Sequence, residues 1–267
     1  MGLLLRAGVQ QQTPGVALLT LISCCFGLVF TRSLPVVRQL LPRRALQLGA
    51  VVGNTAYVGL PVAIALLPPR ALAISITVDF VATLVTWSLG PILLSDSQRY
   101  RPWSLIPLLL RTPVVRALIL ATPVALTPWA TEVGHWLWLP ARIVLWCLLT
   151  LVGMRLGALL HGPAMVADLD GWVQLLPATL IKLLLWPGLT LAVVSLFGWP
   201  AWMVGAVVLQ AAVPTAMSVL LLAEASPSRC RQEEVAAAAR LVVATTIASA
   251  ITIPLWSLVL TLLLQRA

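Results

Sequence analysis

Gly49-Ala50-Val51-Val52-Gly53-Asn54-Thr55-Ala56-Tyr57-Val58-Gly59-Leu60-Pro61 lies inside one long apolar run of the chain. Gly205-Ala206-Val207-Val208-Leu209-Gln210-Ala211-Ala212-Val213-Pro214-Thr215-Ala216-Met217-Ser218 lies inside another. Both runs are long enough to cross a bilayer, and both carry a proline near the depth where a spanning helix is furthest from water. Proline lacks a backbone donor and clashes with the preceding turn, so each helix is expected to kink or unwind there. The shared Gly-Ala-Val-Val carries little weight, because small apolar tetrapeptides recur by chance.

Composition points the same way. Hydrophobic residues make up 60% of the 267-residue chain and charged residues 9%, against about 25% charged in soluble domains. Mean hydropathy is +1.02. A water-facing globule would leave far too much apolar surface wet. On the length criterion there are about eight candidate spans, at 15–31, 45–68, 71–94, 103–127, 138–160, 172–197, 201–225 and 236–264. The expected fold is an all-α polytopic membrane protein.

The net charge is +9, but the arginines sit between apolar runs, and no nucleic-acid motif accompanies them. Arg32, Arg38, Arg43, Arg44, Arg99, Arg101, Arg155, Arg229 and Arg231 follow the odd-numbered spans. Arg6, Arg70, Arg142 and Arg266 lie on the other side. The excess places the first set in the cytoplasm and both termini opposite. Trp129, Trp136, Trp138 and Trp199 fall at the non-cytoplasmic ends, where amphipathic rings favour the interface. The first apolar run has no small-x-small cleavage site, and its charges follow it, so it reads as a retained span rather than a signal peptide. Cys24, Cys25, Cys147 and Cys230 show no metal-ligand or disulfide spacing.

The interrupted helices are the second of the first three spans and the second of the last three. Those triplets run through the membrane in opposite directions. Paired broken helices of this kind are the mark of an inverted-repeat transporter, in which they meet at the midplane.

The same residues resemble the auxin efflux carrier family, which includes the plant PIN proteins and many bacterial organic-acid permeases. Asn54 with Gly59-Leu60-Pro61 resembles that family's first crossover helix, and Ala211-Ala212-Val213-Pro214 running to Ala223-Glu224 its second. Trp87-Ser88-Leu89-Gly90, Gly153-Met154-Arg155-Leu156 and Lys182 with Pro187 add weaker likenesses in the same order. The resemblance implies two inverted five-helix repeats and a moving transport domain. On that template residues 1–94 are a first repeat lacking its first two helices apart from a stub at Leu3–Leu5. Residues 95–102 are a cytoplasmic loop and 103–267 a second five-helix repeat.

An unwound helix exposes backbone N–H groups and a positive half-helix end, which together attract a carboxylate. The expected substrate site lies between Asn54–Pro61 and Ala212–Ser218, with Asn54, Tyr57, Gly59, Pro61, Gln210, Pro214, Thr215 and Ser218 as its residues. Asn54 can donate to a carboxylate, and its competing role is bonding a neighbouring helix. Asp79 and Lys182 are ionisable residues within spans, hence candidates for coupling or gating. The alternatives are a kink cap for Asp79 and snorkelling to headgroups for Lys182, the only lysine in the chain. Glu233, Glu234, Asp168 and Asp170 read as loop charges. His135 and His161 fall in opposite loops and cannot share a metal, and no triad or phosphate loop is visible.

The expectation is a non-enzymatic secondary carrier of a small organic anion in a bacterial inner membrane. It needs no cofactor or metal, and its other partner is the lipid bilayer. A homodimer stays open. The alternative is a transport-inactive truncated paralogue or an accessory membrane subunit.

Overall fold

The computed structural model describes residues 13–95, 129–160 and 169–264, with single positions between 110 and 127. Apart from those positions the expected span at 103–127, with Arg99, Arg101, Asp168, His161 and the Leu3–Leu5 stub, lies outside the described residues. The chain is mostly helical, and no strand occurs among the described residues. The helices are α1 (Thr13–Ser33), α2 (Pro35–Leu40), α3 (Arg44–Gly49), α4 (Thr55–Leu66) and α5 (Ala71–Leu94). After α6 (Ala130–Leu160) come α7 (Gly171–Ser195), α8 (Ala201–Ala211), α9 (Met217–Ala225) and α10 (Arg231–Leu264). Among the described residues, four helices are long and apolar enough to cross a membrane: α1, α5, α7 and α10. The protein is therefore a helical membrane protein.

Several buried hydroxyls in these helices are satisfied locally, though those of Ser75 and Thr252 have no partner among the described residues. Thr20 donates to Val16 O, Thr77 to Ala73 O, Thr86 to Ala82 O and Thr245 to Leu241 O. Bonding back to the preceding turn lets a polar residue sit where no water is available.

The run at 45–68 is two helices, not one. The chain leaves α3 at Gly49, loses helical form through Asn54, and resumes as α4. This corrects the expectation for Pro61, since the unwinding lies well upstream of it. At Pro61 the chain stays helical because the turn before it widens. Gly59 N–H donates to Asn54 O and Leu60 N–H to Thr55 O, both in the i−5 register of a π-turn over Thr55–Gly59. The wider turn relieves the clash between the proline ring and the carbonyl four residues back. The same device recurs in α7, where a π-turn over Ile181–Leu185 precedes Pro187. There the carbonyl of Leu183, deprived of a donor by Pro187, accepts from the Trp256 indole at 2.8 Å.

The run at 201–225 is also two helices, interrupted at Ala212–Ala216, and this break does coincide with Pro214. The two interruptions meet. Gly53 and Thr215 form an isolated antiparallel bridge, with Asn54 N–H donating to Pro214 O at 2.7 Å and Ala216 N–H to Val52 O at 3.2 Å. Around it Leu48, Val51 and Val52 pack with Val219, Leu220 and Ala223 and with Ala238 and Ala239 of α10.

Three connections gather at one end. Arg43 pairs with Glu233, the Arg44 guanidinium donates to Ser95 O, and Ser226 Oγ donates to Leu94 O at 2.8 Å. Glu234 is not the plain loop charge expected. It is 5% exposed, and its carboxylate accepts from the Arg44 and Ala45 N–H groups at 3.2 and 2.7 Å. It thus caps α3 from α10, where the helix dipole favours an anion. At the opposite end Trp199 lies beside Gly15 and stacks on Phe197, and the Arg70 guanidinium covers the Trp202 ring.

Candidate functional site

The crossing is held by groups that the sequence alone suggests for a ligand. Thr215 is fully buried; its hydroxyl donates to Gly49 O at 2.9 Å, and its N–H donates to Thr245 Oγ1 at 3.1 Å. Pro214 contributes its carbonyl to the bridge. Three backbone amides of the interruptions, those of Asn54, Thr215 and Ala216, are therefore taken by protein acceptors. Pro61 is exposed and lines neither cavity beside the crossing.

One cavity of about 260 Å³ lies where the first turns of α4 and α9 converge. Asn54, Thr55, Ala56 and Tyr57 supply one side, Ala216, Met217 and Ser218 the other, with Asp79 and Thr83 of α5 between them. Asn54 Oδ1 accepts from Tyr57 N–H at 3.4 Å, so its side chain caps α4 while it borders the cavity. Asp79 Oδ1 accepts from Thr55 Oγ1 at 2.6 Å, which ties the carboxylate to the first residue of α4. Two helix N-termini make this end electropositive; Asp79 makes it titratable.

A second cavity of about 400 Å³ lies on the other face of the crossing, between α1 and α7. Lys182 and Gln210 line it, together with mostly apolar residues. Lys182 does not snorkel: it is 1% exposed, and its ammonium donates to Ala211 O, the last residue of α8, at 2.8 Å. A cation at a helix C-terminus is favoured by the dipole. Gly53 leaves room for it, since a Cβ there would stand 3.0 Å from Nζ and 2.7 Å from a Val213 methyl. Gln210 is 2% exposed and lies directly on Gly59, and neither its Oε1 nor its Nε2 has a hydrogen-bond partner among the described residues.

Thus Asn54, Tyr57, Asp79 and Ser218 come together on one face, Gln210 and Lys182 on the other, and Pro214 and Thr215 hold the bridge between them. Sequence reasoning missed Thr55, whose hydroxyl binds Asp79; a polar residue directly after Asn54 was the available signal. Among the described residues no cluster of three His, Cys, Asp or Glu is placed to hold a metal.

The chain matches no family model, no curated protein and no solved structure.

Proposed function

We propose that this protein is a secondary carrier of a small organic anion, working by alternating access around its crossed broken helices. The observation that carries the reading is the meeting of the two interruptions through the Gly53–Thr215 bridge. Non-helical backbone at membrane depth is tolerated where it is enclosed by protein or lines a cavity, and here it does both.

Two three-element units support the inverted-repeat part of the reading. One constant offset pairs Val52 with Pro214, Gly53 with Thr215 and Asn54 with Ala216, and it also matches α1 to α7, α3–α4 to α8–α9 and α5 to α10. The Gly-Ala-Val-Val copies do not follow it, since the first starts on the last residue of α3 and the second starts within α8. The resemblance of the motif order to auxin efflux carriers supports the same class.

The anion sits in the smaller cavity, against the open N–H groups of the first turns of α4 and α9, with Asn54, Tyr57 and Ser218 bordering it. An ionised Asp79 in the same cavity would repel it, so the anion binds together with a proton on Asp79. The test is uptake of radiolabelled organic acids into proteoliposomes. Wild type should accumulate at least one acid, and Asn54→Ala and Ser218→Ala should cut its rate about tenfold, as expected for lost hydrogen bonds worth about 1.4 kcal/mol. Equal rates for wild type and both variants would discard the proposal.

A further inference from the structure

An anion held at the first turns of α4 and α9 leaves the larger cavity without a role. That cavity opens between α1 and α7, where Ile22, Phe26, Leu189 and Val193 line it and are each 40% exposed or more. On spanning helices such a face meets hydrocarbon, so the mouth is lateral, toward the bilayer. The hydroxyls of Thr20, Thr86 and Thr190 on its walls donate to their own helices. Thr55, also on the wall, donates to Asp79, so the charge of this lining rests on Lys182 and its unpaired carboxamide on Gln210.

Both groups there lack something. The Lys182 ammonium has three N–H donors, one of which is engaged by Ala211 O. No carboxylate pairs with it among the described residues. A buried cation without a counter-ion is costly, and so is a buried carboxamide with both polar atoms unpaired. A carboxylate meets the ammonium's need by accepting from Nζ, and its second oxygen accepts from Gln210 Nε2 once that carboxamide turns off Gly59, while Gln210 Oε1 needs a donor from elsewhere. A phosphate head would ask for more donors than this end offers.

We infer that the cavity between α1 and α7 is a second binding site, for a single-chain carboxylate that enters sideways from the membrane, its head on Lys182 and Gln210 and its tail between the two helices. This site shares Val52, Gly53, Thr55 and Thr86 as walls with the Asn54 cavity but is lined by neither Asn54 nor Asp79, and it does not require transport.

The experiment is equilibrium binding of radiolabelled decanoate to the purified full-length chain in nanodiscs, with decanol and propionate as competitors. Saturable binding is expected, displaced weakly by propionate and not by decanol. Lys182→Met should weaken it tenfold or more and Gln210→Leu several-fold. Val193→Trp, which fills the mouth without touching the crossing, should abolish it. Asn54→Ala should leave it unchanged even if that variant has lost transport. The inference is overturned by absent saturable binding, or by variants that unfold at the wild-type temperature yet bind decanoate normally. Competition by decanol as strong as by decanoate overturns the head assignment, and competition by propionate as strong overturns the tail. Loss of binding in Asn54→Ala would merge the two sites into one and overturn the claim of a second.

Discussion

Gly53 and Thr215 face each other across a backbone bridge at a point where neither segment is helical, and each serves the crossing in a different way. Gly53 has no side chain, which lets Val213 and the Lys182 ammonium approach its Cα. Thr215 holds Gly49 O with its hydroxyl and so caps α3 from the opposite half of the chain. Gly53→Val should therefore overpack the crossing and cost about 1–3 kcal/mol. Thr215→Val, equal in shape but without the hydroxyl, should cost about 1–2 kcal/mol by orphaning a buried carbonyl. Thermal unfolding of the purified protein in detergent measures both. A neutral Gly53→Val would mean that the breaks can separate.

Glu233 and Glu234 are neighbours with opposite prospects. Glu233 pairs with Arg43 in a setting where both side chains are about half exposed, and an exposed ion pair contributes about 0–1 kcal/mol. Glu234 is buried and caps two N–H groups of α3. Glu234→Ala should cost about 1–2 kcal/mol, while Glu233→Ala should move the unfolding midpoint little. Equal shifts for the two would refute the capping role.

Much of the helical layout can be read along the chain, because a span's length and apolarity are one-dimensional properties. The bounds of α5 coincide with the run at 71–94, and α7 starts and ends within a few residues of 172–197. Contacts between distant segments cannot be read that way. Proline is the usual helix breaker, so the sequence points to Pro61 for the first break, yet a π-turn accommodates Pro61, and the unwinding occurs where α3 and α4 meet the second break. The capping role of Glu234 joins residues 190 positions apart, and hydropathy holds no signal for it. The candidate residues were found as a group but not by face. Which side of a crossing a side chain takes depends on the angle at which two helices meet, and that is why Lys182 and Gln210 part from Asn54 and Asp79.

Asp79 provides a test of coupling. It borders the Asn54 cavity and accepts from Thr55. Tyr57 shares that cavity, and Lys182 lines only the cavity on the other face. If the anion enters with a proton on Asp79, an inward pH gradient should drive accumulation in wild-type proteoliposomes. Asp79→Asn mimics the protonated carboxyl. It should retain exchange of internal for external anion but lose accumulation driven by the gradient. Gradient-driven uptake surviving in Asp79→Asn assigns the proton elsewhere.

Cys230 reports on orientation. It is exposed and follows Ser226, which binds Leu94 O at the end that gathers the arginine-rich connections. In a variant with serine at positions 24, 25 and 147, a membrane-impermeant maleimide should label Cys230 in inverted membrane vesicles and not in intact cells. Labelling from outside would reverse the topology that the arginines indicate.

Trp256 and Pro187 form a pair whose energetics can be isolated. Pro187 cannot donate to Leu183 O, and the indole of Trp256 on α10 donates instead. Trp256→Phe keeps most of the aromatic volume but removes the donor, leaving a buried carbonyl unpaired, and should cost about 1–3 kcal/mol. Pro187→Ala returns an N–H to the helix, so that Leu183 O regains a local donor once the turn tightens. In that background Trp256→Phe should cost at least about 1 kcal/mol less than in wild type, a coupling within the range for groups in one network. Thermal unfolding of the four proteins closes the cycle. Additive losses would show that the indole acts by packing against α7 alone, and that the π-turn before Pro187 tolerates its unpaired carbonyl by other means.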